Sequence, residues 1–225
     1  MIIESVVAPY FETNCWIIAP SANSECIIVD PGISEPNLIA PIKKTLQEKN
    51  LKPVAVLLTH GHLDHTFSVV PLANGYGIPA LIHTRDRGAL TDPYQVIMRG
   101  GPTEQIIKAF GNLKFEEPEF LTSLNGEENL DFAGFKLKVT HAPGHTAGSA
   151  MFTLDESHLI SGDVLFAGSI GRTDLPGGSW PAMQKSLREK VLPLPDVMQV
   201  LPGHGPETSI GRERKYNQFL QDLKK

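Results

Sequence analysis

A group of metal-ligand side chains, placed directly after the pattern of a buried strand, constrains this chain more than any other feature. Residues 59–65 contain His60, His62, Asp64 and His65. They follow residues 54–58, which indicate a buried strand because the run is short, apolar, β-branched and preceded by a proline. Sites in layered α/β proteins are usually built where strands end. Histidine and aspartate together suit a divalent transition metal such as zinc, so the segment predicts a metal-binding loop.

Four such side chains at this spacing are too many for one ion on one short loop. His60 and His62 can point to one side of the loop, and Asp64 and His65 to the other. The pattern therefore predicts two neighbouring ions. A histidine-rich surface loop is the simpler alternative, and the metal interpretation requires further ligands elsewhere in the chain.

Three later segments supply such ligands, each at the end of a predicted strand and each next to a glycine. They are His145 after residues 135–139, Asp163 after 158–160, and His204 after 197–201. Glycine lets the backbone turn sharply and come close to an ion. One such segment alone is typical of an ordinary turn, but the four segments together supply enough ligands for two coordination spheres.

Together these motifs resemble those of the metallo-β-lactamase-fold hydrolases, most closely the short glyoxalase II-like (hydroxyacylglutathione hydrolase-like) branch. The similarity runs over nearly the whole chain, from residues 14–15 and 30–32 to residues 202–205. It implies an α/β fold, a four-layer αβ/βα sandwich of two mixed β-sheets flanked by helices. It also implies a set of metal ligands: His60, His62 and His145 for the first ion, Asp64, His65 and His204 for the second, and Asp163 as the bridge between them.

The resemblance implies a chemistry as well. Two divalent ions can share a hydroxide, which is a nucleophile at neutral pH, and can polarise a carbonyl oxygen. We therefore expect a thioesterase of glyoxalase II type that cleaves S-acylated low-molecular-weight thiols, such as S-lactoylglutathione, with a metal-bridging hydroxide. Asp64 and Asp163 are the expected catalytic carboxylates. Zn²⁺ is the expected metal, with iron or manganese as alternatives, and the expected partner is a small-molecule thioester.

Residues 166–178 resemble the Gly-Arg-Thr/Ser-Asp loop of glyoxalase II-like hydrolases and of persulfide dioxygenases. Within it, Arg172 could bind a substrate carboxylate with two parallel hydrogen bonds. The alternative is an Arg172–Asp174 pair that only fixes the loop. Thr59, Thr146 and Ser149 are either hydroxyls that support the metal ligands or turn and cap residues.

Two other functions remain open. A mononuclear iron persulfide dioxygenase would use His60, His145 and Asp163, a two-histidine, one-carboxylate set with open positions. A non-catalytic, metal-stabilised binding module is the third class, although it would not need an open dinuclear site. Full-length glyoxalase II enzymes have a long helical C-terminal extension, and only one helix fits after residue 205, so glutathione specificity is less expected here than thioester hydrolysis.

The order of patterns predicts two blocks of strands with helices after each, in one domain spanning residues 1–225. Predicted strands are 2–7, 14–18, 26–29, 54–58, 80–83, 136–140, 150–154, 158–161 and 197–201, and predicted helices are 36–49, 66–75, 181–191 and 210–223. Residues 91–119 are expected to hold a short helix near 104–110, and to form either a flap beside the active site or a surface excursion. His141 is expected to be structural or to support a metal ligand, and His83 and His158 are expected to be ordinary strand residues.

Composition excludes some classes of function. A formal net charge of −5 disfavours a general nucleic-acid-binding role, and no apolar run reaches membrane-spanning length. The first residues lack the basic region of a secretory signal, so a cytoplasmic location is expected. Cys15 and Cys26 are not spaced as a metal or redox pair and are expected to be small buried hydrophobic residues. The oligomeric state is not predicted.

Overall fold

Two β-sheets form the centre of the molecule. The computed structural model describes residues 1–111 and 113–223. The first six strands are β1 (Ile2–Val7), β2 (Asn14–Ala19), β3 (Glu25–Val29), β4 (Lys52–Leu57), β5 (Ala80–His83) and β6 (Leu121–Leu124). The next six are β7 (Asn129–Phe132), β8 (Phe135–His141), β9 (Ala150–Leu154), β10 (His158–Gly162), β11 (Gln199–Pro202) and β12 (Thr208–Ser209).

Both sheets are mixed. The first follows the order β1-β2-β3-β4-β5-β6, with β1, β2 and β3 antiparallel and β3 to β6 parallel. The second follows the order β12-β11-β10-β9-β8-β7, in which β10 and β11 pair in parallel and the other neighbours antiparallel. The predicted pair of mixed sheets is confirmed.

Side-chain alternation along the strands creates the layers. Trp16 and Ile18 of β2 pack against Phe152 and the rest of the core between the two sheets. Cys15 and Ile17 of the same strand point to the opposite face and pack under helices. Because successive strand residues face opposite sides, one apolar strand can serve both cores.

Helices cover the outer faces of both sheets. They are α1 (Ile39–Lys49), α2 (Leu63–Thr66), α3 (Val69–Tyr76), α4 (Pro102–Phe110), α5 (Trp180–Ser186), α6 (Ile210–Tyr216) and α7 (Gln218–Asp222). Helices α1 and α3 cover the first sheet, while α5, α6 and α7 cover the second, which completes the predicted four layers. No helix in the described part of the chain is long and apolar enough to cross a bilayer.

Prolines set two of the helix boundaries. Pro41 is the third residue of α1, where its missing N–H has no intrahelical partner to lose, so α1 begins just before it instead of kinking. The helix predicted over residues 66–75 is α3, which begins three residues later than predicted, and the short helix α2 before it lies outside the predicted set. Pro71 cannot donate to the carbonyl of Phe67, so a helix continuing from α2 would be interrupted there.

The predicted C-terminal helix 210–223 is also divided in two. Asn217 has extended backbone angles between α6 and α7, and its side chain accepts a hydrogen bond from the Phe219 N–H. This buried asparagine acts as an N-cap, which favours a new helix start over continuation. The predicted helix 181–191 is α5 followed by a π-helical turn, Leu187–Val191.

Strands β6, β7 and β12 lie outside the predicted set. They are two to four residues long and stand at the sheet edges, where most of their residues are half-exposed or exposed. Half-exposed edge strands lack the continuous apolar run that marks a buried strand.

Strand direction brings several loops to one edge of the sandwich. In the second sheet, β8, β10 and β11 run the same way, so the segments that follow them leave from the same end. In the first sheet, β3, β4 and β5 are parallel, and their following segments also share one end. All the segments with candidate metal ligands are among these.

The two thiols are expected to be inert in the folded protein. Cys15 and Cys26 are buried and free, and burial raises the pKa of both, that of Cys26 to about 12. Both thiols therefore stay protonated and non-nucleophilic at pH 8. We predict no reaction with Ellman's reagent in the native state and reaction of both thiols in guanidinium chloride. An Ala22→Cys variant, with its new thiol at an exposed position, is the positive control; rapid native-state labelling of the wild type would contradict the prediction.

Candidate metal centre

The seven predicted ligand residues converge at the shared edge of the two sheets. Their ligand atoms form three overlapping groups in which all atoms lie within 4.8 Å of one another. The groups are His60, His62 and His145; His60, His65 and Asp163; and Asp64, His65 and His204. The sequence interpretation of two adjacent coordination spheres is therefore matched by the geometry.

The first group consists of three imidazoles. His62 Nδ1 lies 3.0 Å from His60 Nε2 and 2.8 Å from His145 Nε2. Three ring nitrogens that face one another this closely need a proton or a cation between them, because their lone pairs repel. Histidine nitrogens in such an arrangement are typical zinc ligands.

The other two groups each contain one carboxylate, Asp163 in one and Asp64 in the other. His204 Nε2 lies 3.2 Å from His65 Nε2 and 3.4 Å from Asp64 Oδ2. Asp163 stands between the groups, with Oδ2 3.3 Å from His145 Nε2 and Oδ1 3.4 Å from His65 Nε2. Its Oδ1 is buried and has no hydrogen-bond partner in the described residues. A buried carboxylate oxygen without a donor fits a bound cation.

Each histidine uses its outward nitrogen to fix the ring. Carbonyl oxygens accept this bond at three of them: Val96 for His62 Nε2 (3.0 Å), Arg172 for His145 Nδ1 (2.7 Å) and Phe11 for His204 Nδ1 (2.9 Å). A carbonyl accepts only, so the outward nitrogen carries the proton and the inward nitrogen is free to bind metal. His62 therefore presents Nδ1, whereas His145 and His204 present Nε2.

Asp30 orients the remaining two rings, and it is absent from the predicted site residues. Its Oδ2 accepts from His65 Nδ1 at 3.0 Å and from Thr59 Oγ1 at 2.6 Å, and its Oδ1 accepts from the Thr59 N–H. Thr59 Oγ1 in turn lies 3.0 Å from His60 Nδ1. The structure thus places Thr59 behind a ligand, as one of the two sequence alternatives expected.

Asp86 is a second buried carboxylate absent from the predicted site. It accepts from the Gly61 and Gly148 N–H groups and from Thr146 Oγ1 at 2.8, 2.6 and 2.6 Å. Asp86 therefore ties the His60–His62 loop to the His145 loop. Thr146 and Ser149, whose hydroxyl oxygens are 2.7 Å apart, serve this loop and do not contact a ligand ring.

Strand position could have revealed both carboxylates. Asp30 directly follows β3, and Asp86 lies three residues after β5, at the edge where β4 delivers His60. Asp30 has a positive φ of 50°, which is unusual for a residue other than glycine. Its three hydrogen bonds stabilise this conformation.

Close backbone approach explains the glycine before His204. A Cβ atom on Gly203 would overlap Asp163 Oδ1 and His65 Cε1. The Gly203 N–H also donates to the Gly162 carbonyl at 2.9 Å, which joins the loops of Asp163 and His204. The glycine therefore allows the backbone to pack closely against two of the candidate ligands.

The surroundings give the histidines of the cluster different pKa values. Burial and the neighbouring histidines lower the pKa of His60 and His62, that of His62 to about 3, so both rings are neutral at pH 7. Burial also opposes charge on His204, but hydrogen bonds to Asp163 and Asp64 raise its pKa to about 11. A cation beside these carboxylates would replace that proton.

An open cavity of about 400 Å³ lies over the ligand cluster. Five of the ligands line it: His62, Asp64, His145, Asp163 and His204. Ile97, Met98, Gly101, Pro102 and Thr103 form one wall. Residues 97–103 therefore border the site, so of the two expectations for residues 91–119 the flap is correct for this stretch. The helix expected near 104–110 is α4.

Arg172 also lines the cavity, with its guanidinium bound to Asp174 through two hydrogen bonds of 2.7 and 2.8 Å. The loop that carries Arg172 is held from below by Glu213, which accepts from the Gly168 N–H, and by Asn217, which donates to the Ser169 carbonyl. The Arg172–Asp174 pair expected from the sequence is present, and half of the Arg172 side chain remains exposed.

His141 lies outside the ligand groups. Its ring stacks on His83 with centroids 4.0 Å apart, and its Nε2 lies 2.9 Å from the Ala147 carbonyl. The structure therefore places His141 and His83 in a packing role, as expected.

Comparison with known proteins agrees with this geometry. The family model of the metallo-beta-lactamase superfamily matches residues 8–204. The chain belongs to the metallo-beta-lactamase superfamily. An uncharacterised protein of Mycobacterium leprae is 40% identical over 99% of this chain and 100% of its own length. The hydroxyacylglutathione hydrolase GloC of Haemophilus influenzae is 33% identical over 98% of both chains. The resemblance inferred from the motifs is thus confirmed.

Solved structures of the superfamily share the whole fold. BLEG-1, described as a B3 metallo-beta-lactamase, has a TM-score of 0.83 and 33% identity over 97% of this chain and 99% of its own. TTHA1623, solved in a di-iron-bound form, has a TM-score of 0.76 and 31% identity over 98% of this chain and all of its own. The His/Asp clusters described above fit a binuclear centre of this kind.

Asp30 gives a direct test of the supporting hydrogen bonds. In Asp30→Asn, the amide cannot accept from Thr59 and His65 together without presenting an NH₂ group to one donor, and the charge that fixes both rings is lost. We predict a loss of metal affinity of about 10- to 100-fold, measured by competition with a chromogenic chelator. Asp131→Asn, at an exposed partner of Lys136, is the matched control. Wild-type affinity in Asp30→Asn would show that Asp30 does not support the site.

Proposed function

We propose that this protein is a metal-dependent hydrolase that cleaves thioesters of low-molecular-weight thiols. The observation that carries the proposal is the convergence of seven imidazole and carboxylate groups at an open cavity that five of them line, with Asp163 Oδ1 lacking any hydrogen-bond donor among the described residues. The name of the Haemophilus influenzae relative, a hydroxyacylglutathione hydrolase, supports a thioester substrate.

Two divalent ions bound by these residues would supply a hydroxide nucleophile at neutral pH and polarise the substrate carbonyl. The chain itself provides the orientation. Asp163 contacts His145 on one side and His65 on the other, so one carboxylate sets the distance between the two sets of ligands. The carbonyls of Phe11, Val96 and Arg172 hold three rings in position before substrate binds, which limits reorganisation during the reaction.

We propose zinc as the metal, because neutral imidazoles with aspartates are a donor set that zinc prefers. Iron is the alternative that the di-iron form of TTHA1623 supports. A second candidate activity is β-lactam hydrolysis, which rests on the likeness to BLEG-1 over nearly the full chain. Both reactions would use the same ligands and the same cavity.

Metal removal and reloading test the proposal. We predict about two metal ions per chain, and hydrolysis of S-acylglutathione thioesters that is lost with a chelator and restored by zinc. Asp163→Asn alters a candidate ligand itself. It should therefore lower kcat/KM at least about 100-fold, which is the upper end of the loss seen when residues that support metal ligands are changed. Asp131→Asn is the control.

The same preparations distinguish the other candidates. Turnover of a cephalosporin without thioester hydrolysis would favour a β-lactamase. One iron per chain with oxygen uptake on glutathione persulfide would favour a persulfide dioxygenase. Bound metal with no turnover of any of these substrates would favour a binding module and contradict the proposal.

Arg172 is proposed to bind a substrate carboxylate. If it does, Arg172→Ala should raise KM about three- to tenfold, as expected for a half-exposed charged hydrogen bond, with little change in kcat. Asp174→Asn leaves the guanidinium in place and frees it, so KM should not rise. If both substitutions raise KM equally, the pair only fixes the loop and Arg172 does not bind substrate.

A further inference from the structure

The cavity has an apolar wall in addition to its metal-ligand floor. The apolar residues that line it are Phe11, Ile97, Met98, Pro102, Phe166 and Leu175. Two of them are exposed to an extent unusual for large hydrophobic side chains, with 38% of Phe11 and 44% of Met98 accessible. An exposed apolar surface inside a concave site is typical of a ligand contact.

The wall is fixed relative to the ligand cluster. Ile97 is buried in a small apolar cluster with Ile33, Leu63 and Ile107, so the backbone that presents Met98 is anchored. The preceding carbonyl, that of Val96, accepts from His62 Nε2 at 3.0 Å. One hydrogen bond therefore joins a metal-ligand ring to the segment that carries Ile97 and Met98, and both side chains line the same cavity as the ligands.

The charged groups of the cavity are already paired with other groups of the protein, so the apolar wall is left to contact an apolar substrate group. The guanidinium of Arg172 sits on the rim and is held by Asp174. Asp64 and Asp163 line the cavity together with the ligand histidines, and Oδ2 of each lies 3.4 and 3.5 Å, respectively, from His204 Nε2. Apart from the hydroxyl of Thr103, the side chains of this wall offer methyl, thioether and ring surfaces, which cannot replace the water lost by the hydroxyl of a polar acyl group such as lactoyl.

We infer that the preferred substrate is a thioester with a large apolar group next to the scissile carbonyl or on the thiol, and that Ile97 and Met98 determine this preference. The inference rests on the proposed thioesterase activity and names its substrate class. The apolar group gains contact with the wall on leaving water, which favours it over a small hydroxylated group.

Three thioesters test the inference on the metal-loaded protein. S-Hexanoylglutathione places the apolar group on the acyl side, the lactoyl thioester of benzyl mercaptan places it on the thiol side, and S-lactoylglutathione has neither. We expect kcat/KM at least about tenfold higher for one of the first two than for S-lactoylglutathione. Met98→Gln, which keeps the length of the side chain, should lower this ratio about tenfold.

Val197→Gln is the control, because Val197 is 81% exposed and does not line the cavity. It should leave the ratio unchanged. A ratio at or below one in the wild type, or an unchanged ratio in Met98→Gln, would overturn the inference while leaving the thioesterase proposal intact. If the metal-loaded protein hydrolyses none of the three thioesters, the proposed function fails, and the inference with it.

Discussion

The structure depends on holding several imidazole nitrogens and carboxylates close together in a buried ligand cluster. Imidazole nitrogens less than 3.3 Å apart repel one another, and a carboxylate oxygen without a donor is costly to bury. A cation relieves both costs at once, because it accepts from all these groups. The fold must therefore hold the side chains in place, and two packed sheets with loops at one common edge provide the rigid frame.

Two buried aspartates fix the ligands to this frame through hydrogen bonds. Asp30 orients His65 directly and His60 through Thr59, whereas Asp86 joins the loop of His60 and His62 to that of His145. Neither contributes a ligand atom to the clusters. The hydrogen bonds of Asp30 set which nitrogen of His65 and His60 faces inward, whereas those of Asp86 fix the position of the two loops relative to each other.

Two segments supply most of the remaining cavity lining. Residues 97–103 bring apolar surface, and the loop with Phe166 and Arg172 brings an aromatic ring and a cation. Each segment touches a metal-ligand histidine through a backbone carbonyl, Val96 for His62 and Arg172 for His145. A change in either segment would therefore affect both substrate contact and the orientation of a ligand. This coupling makes loop variation an economical route to new specificity on one fold.

Sequence alone determined the strands that carry the ligands, the seven candidate ligands and the superfamily, because apolar runs, prolines and Gly-flanked histidines are local signals. It did not predict edge strands β6, β7 and β12, whose half-exposed residues lack an apolar run, or the break at Asn217, whose side chain caps α7 and also donates to the distant Ser169 carbonyl. Only the tertiary structure identified Asp30 and Asp86 as supports and residues 97–103 as a wall of the cavity. Those roles arise from hydrogen bonds and contacts between residues far apart in the chain; position after a strand marks the two aspartates as candidates but does not give their partners.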